Sequence, residues 1–250
     1  MKQEQMFVIS NTKIACNTYE MTLLSHYVSQ TAIPGQFINI LVPDHTLRRP
    51  ISIASVDHYH QTVTIVYKIV GSGTRKLSTY RRGHPLDCIG PTGNGFNLQD
   101  FKESTVLLIG GGVGIPPLHF FGKSLVKKDV NIISILGFRS ADEVFYKNKF
   151  NKFSQTLITT NDGSMGEKGF VTDMIKHIKH FDLYASCGPL AMLQAVTRKL
   201  SHKRGFISLE ERMGCGVGAC FACVIPTRRH KGYQKICQDG PVFSVEEVVI

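Results

Sequence analysis

The sequence predicts a β plus α/β protein in three parts: an antiparallel β-barrel, a doubly wound parallel sheet, and a small cysteine-rich C-terminal domain. Three observations predict it. Short β-type runs separated by turn residues fill roughly residues 5–98. Strand and helix patterns then alternate over roughly 102–205, and four of the seven cysteines fall at or beyond Cys215. A chain of 250 residues is long enough for two domains and a short appendage. The expected boundaries are 1–100, 101–205 and 206–250.

In the first part, Phe37–Val42 and Thr62–Tyr67 are rich in β-branched and aromatic residues, as strands are. Pro34-Gly35, Pro43-Asp44 and Gly71-Ser72-Gly73 punctuate them. Many short strands at such spacing suggest a small barrel. In the second part, Thr105–Ile109, Asn131–Leu136, Thr156–Thr160 and Leu183–Cys187 read as buried strands. Helical patterns run over Pro117–Lys127 and Pro189–His202. Such alternation implies a parallel sheet with crossover helices. The third part has no long periodic element and is too small to stand on its core alone, so it needs a metal or a covalent staple.

Composition narrows the class. No apolar run reaches the roughly 20 residues that cross a bilayer. The first residues lack the charged-then-apolar layout of a signal peptide. An odd number of cysteines argues against a disulfide framework. The expected location is the cytoplasm. The net charge of +10 comes from 29 Lys+Arg against 19 Asp+Glu. Its basic pairs, Arg48-Arg49, Arg75-Lys76, Arg81-Arg82, Lys127-Lys128 and Arg228-Arg229, are scattered and match no nucleic-acid motif. They are expected to be a solvated surface, with part of the charge meeting nucleotide phosphates or an acidic partner.

The cysteines Cys215, Cys220, Cys223 and Cys237 have the spacing C-x4-C-x2-C-x13-C. A C-x4-C-x2-C run with a distant fourth cysteine is the plant-type [2Fe–2S] arrangement. Gly214, Gly216, Gly218 and Ala219 let the backbone curl so that amides face the sulfurs. Zinc modules pair short spacings at both ends, whereas only one end is paired here, so iron–sulfur is favoured over zinc. Cys16 and Cys88 are expected to be small buried hydrophobes. Cys187 ends a strand before Gly188-Pro189, and either lines the crevice or packs the core.

Gly110, Gly111, Gly112 and Gly114 follow a strand and lead into a helix, where glycines admit a pyrophosphate to a helix N-terminus. The register is G-G-G-x-G, not G-x-G-x-x-G, and Asp129 is the acidic residue nearest the usual ribose-reading place. A tight strand–helix corner is the alternative for this segment. Arg139 and Ser140 follow the second strand, where they can meet a 2′-phosphate or form an ordinary loop. In the barrel, Arg49 can pair with a pyrophosphate, Pro50 stiffens its presentation, and Ser52 can bond a flavin edge. Gly71-Ser72-Gly73-Thr74 opens a helix expected over Arg75–Tyr80 and offers a second anion site. Tyr67 and Lys68 lie between these segments.

With barrel, nucleotide sheet and plant-type cysteines in that order, the chain resembles the ferredoxin-reductase superfamily over essentially its whole length. Within it, the chain is similar to the electron-transfer subunits of class 1B dihydroorotate dehydrogenase. Arg49-Pro50-Ile51-Ser52, Gly71-Ser72-Gly73-Thr74, Gly90–Phe96, Gly110–Gly114, Cys187-Gly188-Pro189 and, most specifically, Glu210–Cys220 carry the likeness. The resemblance implies FAD contacts at Arg49, Pro50, Ile51, Ser52, Val66, Tyr67, Lys68, Gly73 and Thr74. It implies an NAD(H) crevice at Gly110–Gly114 and Cys187–Pro189, and cluster ligation by the four tail cysteines. Ile51 departs from the wider superfamily, where many members place a tyrosine against the flavin.

The resemblance further implies a separate FMN-containing dihydroorotate dehydrogenase catalytic subunit in a two-plus-two heterotetramer. Electrons from dihydroorotate would reach NAD+ through the cluster and FAD, in pyrimidine (UMP) biosynthesis. No catalytic acid–base residue, nucleic acid or membrane is implied. An NAD(P)H-linked reductase subunit of a hydrogenase, sulfite reductase or glutamate synthase-like system has the same architecture. A zinc-stabilised nucleic-acid-binding or regulatory protein is the alternative of another class.

Overall fold

The computed structural model describes residues 1–102, 104–126, 128, 130–228 and 232–250; Lys127, Asp129 and Arg229, named above, lie outside them. Six antiparallel strands close a barrel: β1 (Lys2–Ala15), β2 (Thr18–Leu24), β3 (Phe37–Ile40), β4 (Arg49–Asp57), β5 (Thr62–Lys68) and β6 (Pro85–Thr92). Their order around the barrel is β1-β2-β5-β4-β3-β6. Alternation along each strand sorts the two faces. Val63, Ile65 and Tyr67 of β5 point into the barrel core, while Val66 joins the core shared with the second part. Two short helices cap the barrel, α1 (His26–Thr31) and α2 (Ser72–Ser78). The second begins three residues earlier than expected, because Gly71 is extended and serves as its N-cap while the Thr74 hydroxyl accepts from the Gly71 amide.

The second sheet contains β7 (Thr105–Gly111), β8 (Asn131–Phe138), β9 (Gln155–Thr160), β10 (Glu167–Lys168), β11 (Leu183–Cys187) and β12 (Arg204–Ser208), all parallel. Its order is β10-β9-β8-β7-β11-β12. The chain winds outward from β7 through β8 and β9, then returns to β11. The switch point therefore lies between β7 and β11, and in such sheets the ligand crevice opens at the carboxyl ends of those strands.

Helix α3 (Ile115–Val126) is buried on nearly every side, because it is wedged between this sheet and β4 of the barrel. Pro116 and Pro117 sit in its first turn, where no intrahelical N–H is required. The remaining helices are α4 (Lys147–Phe150), α5 (Val171–Met174) and α6 (Leu190–Lys199). No helix among the described residues is long and apolar enough to cross a membrane.

The tail forms a hairpin, β13 (Val224–Pro226) with β14 (Tyr233–Lys235), and a last strand, β15 (Val242–Ser244). That last strand extends the sheet by pairing antiparallel with β12. Met213, Cys223, Ile236, Cys237 and Phe243 share one core with Phe37 of the barrel, Leu193 of α6 and Ile207 of β12. The tail is thus held by both larger parts.

Candidate functional site

Two cavities open along the junction of barrel and sheet. The first, about 470 Å³, is lined by Arg49, Pro50, Ile51, Ser52, Val66, Tyr67, Lys68 and Thr74. Eight residues expected to meet one ligand are therefore brought together. Arg49 to Ser52 are the first half of β4. That half pairs with β3 only, and β5 joins β4 from Ile53 onward. Its other edge is left to face the cavity, which is also why a proline is tolerated there.

The Arg49 guanidinium donates to the Leu47 carbonyl and pairs with no carboxylate among the described residues. It lies flat on Gly73: a Cβ there would sit 2.4 Å from Arg49 Nε, so Gly73 serves by its lack of a side chain and does not line the cavity itself. A half-buried cation with no internal counter-ion fits a bound phosphate. The Tyr67 hydroxyl donates to Asn11 Oδ1 at 3.0 Å, its ring stacks on Tyr19, and burial pushes its pKa up. Tyr67 is therefore a fixed wall.

The second cavity, about 570 Å³, lies over the carboxyl ends of β7, β8 and β11. Gly111, Gly112, Gly188 and Pro189 line it, with Phe138, Arg139, Phe170, Val171 and Met192. Gly112 has φ +51, and a Cβ there would meet nothing within 4 Å, so its backbone is bare to the cavity. Gly114 and Gly110 lie behind the lining. A Cβ on Gly114 would sit 2.4 Å from the Cys187 carbonyl, and one on Gly110 would sit 2.8 Å from Ile115 Cγ1. The glycine run thus serves close strand–helix packing as well as access. Cys187 is fully buried in the core under the crevice and does not line it. Burial, with Glu210 nearby, pushes its thiol well above the ordinary range. Ser140 donates to Asp142 Oδ1 at 2.5 Å and also stays out of the lining.

Lys68, Val113 and Glu210 border both cavities, so the two are one continuous cleft. Lys68 Nζ holds Glu143 Oε1 across the junction at 2.6 Å. Glu210 was quoted above only within a motif. It is open to the cleft, yet the protein crowded around it raises its carboxyl through desolvation. Its motif does not give its place, which depends on two cavities meeting.

The four tail cysteines gather on one loop and the hairpin after it. Backbone amides surround the sulfurs: Val217 N and Cys220 N donate to Cys215 Sγ at 3.4 and 3.3 Å, Cys215 N to Cys220 Sγ at 3.4 Å, and Gly218 N to Cys237 Sγ at 3.2 Å. Burial pushes the Cys215 thiol up, but the amides of Val217, Cys220 and Ala219 outweigh it and bring it down to about 6. Burial, with Cys223 beside it, pushes Cys237 up to about 12.

Cys215 and Cys220 face each other through reciprocal amide–sulfur bonds, and Cys223 lies beside Cys237. No three ligating side chains among the described residues converge on one ion. Two cysteines per iron suit a dinuclear cluster, whereas a zinc ion needs four ligands on one centre. The donor set fits [2Fe–2S].

Comparison with known proteins agrees with this geometry. Residues 210–249 match the model of the iron-sulfur cluster binding domain of dihydroorotate dehydrogenase B. A dihydroorotate dehydrogenase B (NAD(+)) electron transfer subunit of Fusobacterium nucleatum is 45% identical over 100% of both chains. One from Bacillus cereus is 46% identical, again over 100% of both. Among solved structures, an NADH-dependent reduced ferredoxin–NADP oxidoreductase superposes with TM-score 0.90 at 30% identity, over 98% of this chain and 89% of that one. A Neisseria gonorrhoeae ferredoxin NADP+ reductase shares the fold, with TM-score 0.67 at 14% identity over 81% and 92%. The chain belongs to the family of electron transfer subunits of dihydroorotate dehydrogenase B (NAD(+)).

Proposed function

We propose that this chain links a dihydroorotate-oxidising catalytic subunit to NAD(H), holding FAD in the first cavity, NAD(H) in the second, and a [2Fe–2S] cluster on Cys215, Cys220, Cys223 and Cys237. The observation that carries the reading is the continuity of the two cavities at Lys68, Val113 and Glu210, with the cysteine loop seated on the same barrel strand that supplies Phe37 to the first cavity. When bound, the flavin exchanges hydrides with single electrons and the cluster carries single electrons.

The chain's own residues bind and orient. Arg49 pairs with the FAD pyrophosphate, supported by Thr74 and Gly73 of α2. Pro50, Ile51, Val66 and Tyr67 form the apolar and aromatic walls, and Ser52 offers a hydroxyl at the open edge of β4. On the other side, Gly111 and Gly112 bring the backbone close to the dinucleotide, with Gly188 and Pro189 opposite; Gly110 and Gly114 pack the strand–helix corner behind them, and Cys187 supports them from beneath. No proton donor is needed for hydride transfer, so positioning is the protein's task.

The partner in this reading is an FMN-containing subunit, in a two-plus-two heterotetramer. Val217, Phe221, Val224 and Tyr233 ring the cysteine loop at 36%, 59%, 38% and 44% exposure, an apolar rim that suits a protein partner at the cluster. The division into residues 1–100, 101–205 and 206–250 belongs to the same reading. So does a cytoplasmic location, since four thiolate ligands need a reducing compartment.

The test is a visible spectrum of anaerobically purified protein, with acid extraction of flavin and an iron assay. FAD with about two irons per chain, bleached by NADH, is expected. Colourless protein holding zinc and no flavin would overturn the reading.

A further inference from the structure

The outer face of β3 presents Phe37 and Asn39 to the C-terminal part, while Ile38 and Ile40 face the barrel interior. Asn39 is 1% exposed, the one polar residue in the strand Phe37–Ile40. Burying an amide there is costly unless it is bonded. Its Nδ2 donates to the Gly216 carbonyl at 3.3 Å, across 177 positions of sequence. Gly216 has φ +69, and a Cβ on it would sit 2.3 Å from that same nitrogen. The contact is therefore built from both sides.

The Arg48 guanidinium braces the strand from behind. It donates to the Asn39 carbonyl at 3.4 Å and to the Asp87 carbonyl at 3.1 Å, and pairs with the Asp87 carboxylate at 2.8 Å. A second clamp acts two peptides further along. Lys235 Nζ donates to the Gly218 carbonyl at 2.6 Å, with its cation 4.4 Å from the Phe221 ring centroid.

These two carbonyls share a property. In a trans peptide the C=O and the following N–H lie in one plane and point opposite ways. The Gly216 carbonyl belongs to the peptide whose amide is Val217 N, which donates to Cys215 Sγ at 3.4 Å. The Gly218 carbonyl belongs to the peptide whose amide is Ala219 N, one of the backbone groups that lower the pKa of the Cys215 thiol. Holding each carbonyl from outside aims the opposite amide at one ligand.

We propose that Asn39 and Lys235 are positioning residues that orient the Val217 and Ala219 amides onto Cys215 Sγ and thereby set the reduction potential of the cluster. The proposal rests on the cluster assignment made above. Amide–sulfur hydrogen bonds stabilise the more negative, reduced cluster, so loosening them lowers its potential. Asn39 also ties this tuning to the barrel, because the bond exists only when the cysteine loop is seated against β3.

The experiment is an EPR-monitored redox titration of the holoenzyme with its catalytic partner, alongside iron and flavin content. Asn39→Leu is expected to keep two irons and FAD while its one-electron reduction equilibrium falls on the order of tenfold, which corresponds to about 59 mV. Lys235→Met is expected to shift the same way, and to stay shifted in about 1 M salt, where the loss of its charge is largely screened. Asn39→Leu with full iron and an unchanged potential overturns the proposal. Should Asn39→Leu lose its cluster, Lys235→Met decides: a wild-type potential in high salt overturns it. Absence of iron from the wild-type protein would instead sink the cluster assignment itself.

Discussion

Gly114→Ala isolates the packing role of the glycine run from its access role. An alanine Cβ at Gly114 would sit 2.4 Å from the carbonyl carbon and oxygen of Cys187 and 2.5 Å from Gly188 N. Ordinary carbon contacts are about 3.5 Å or more, so the overlap is about 1 Å. Both sides of the clash are backbone and no rotamer relieves it. β7 and β11 are also bonded along their length, with Gly110 opposite Cys187, so they cannot part locally without losing ladder pairs. Overpacking of this kind costs about 1–3 kcal/mol, and the upper end applies where only backbone can move. At that cost the melting temperature falls by roughly 6–12 °C for a chain of this size.

The shift lands on Gly188 and Pro189, which line the second cavity. NADH affinity is expected to drop at least about tenfold, measured by isothermal calorimetry, with flavin and cluster absorbance unchanged. The control is Gly112→Ala. Its backbone at φ +51 costs an alanine about 1–2 kcal/mol, but the Cβ enters open space and clashes with no protein atom. It should lose NADH affinity with a smaller loss of stability. If Gly114→Ala melted and bound NADH like the wild type, β11 would have to yield freely, and the argument from backbone overlap would be wrong.

Arg49→Met is expected to release FAD on desalting, because it removes the cation that lines the first cavity beside Gly73 and has no carboxylate partner among the described residues; retention of flavin at wild-type occupancy would refute that assignment. Serine at any one of Cys215, Cys220, Cys223 or Cys237 is expected to abolish cluster absorbance and lower iron content, with the larger stability losses at Cys223 and Cys237, each 1% exposed in the core. His119 is held near pKa 4 by burial against an ordinary 6.5, so the unfolded chain binds its proton more readily than the folded one. Stability from this group is full above pH 6.5 and is lost as pH falls toward 4, by up to about 3 kcal/mol. Denaturant titrations of wild type and His119→Phe should show total stability changes across that window that differ by this amount, and parallel pH profiles would contradict it.

The strand Leu183–Cys187 is visible in the sequence with its observed bounds, because a fully buried parallel strand is an unbroken apolar run and Gly188-Pro189 ends it. β1 is not, since it buries only Met6 and Val8 and otherwise reads as polar. Its pairing with β6, which closes the barrel, involves residues more than 70 positions apart. β12 hides for another reason. It carries Gly205, a poor strand former, because the Tyr184 ring occupies the place of a side chain: a Cβ there would sit 2.2 Å from that ring. The gathering of the four tail cysteines was legible because they fall within one short stretch. Arg49 to Ser52 were legible as a group but not as an edge strand, since a free edge depends on where β5 begins to pair. The places of Glu210 and Asn39 were silent, because each acts through a surface that another part of the chain supplies.

The cleft is useful only if its walls keep their spacing, and those walls come from different parts of the chain. Reacting atoms must be held to within about an ångström for efficient transfer. The contacts that secure this spacing lie mostly outside the cleft. Glu20 of β2 accepts from Lys149 Nζ at 2.5 Å and from the Tyr146 hydroxyl. His119 Nδ1 of α3 donates to the Ala54 carbonyl of β4 at 3.1 Å, and Cys16 N of the barrel donates to the Asp142 carbonyl at 2.8 Å. With Lys68–Glu143, these bonds fasten residues 142–149 and α3 to four barrel segments. Tyr146 takes φ +64, a costly conformation for a tyrosine, at the point where its ring meets Phe145 and His119 and its hydroxyl reaches Glu20. Such a conformation persists where surrounding contacts over-determine it. The junction is built as a fixed joint rather than a hinge, so the relative placement of the two cavities is a property of the folded chain before any nucleotide arrives.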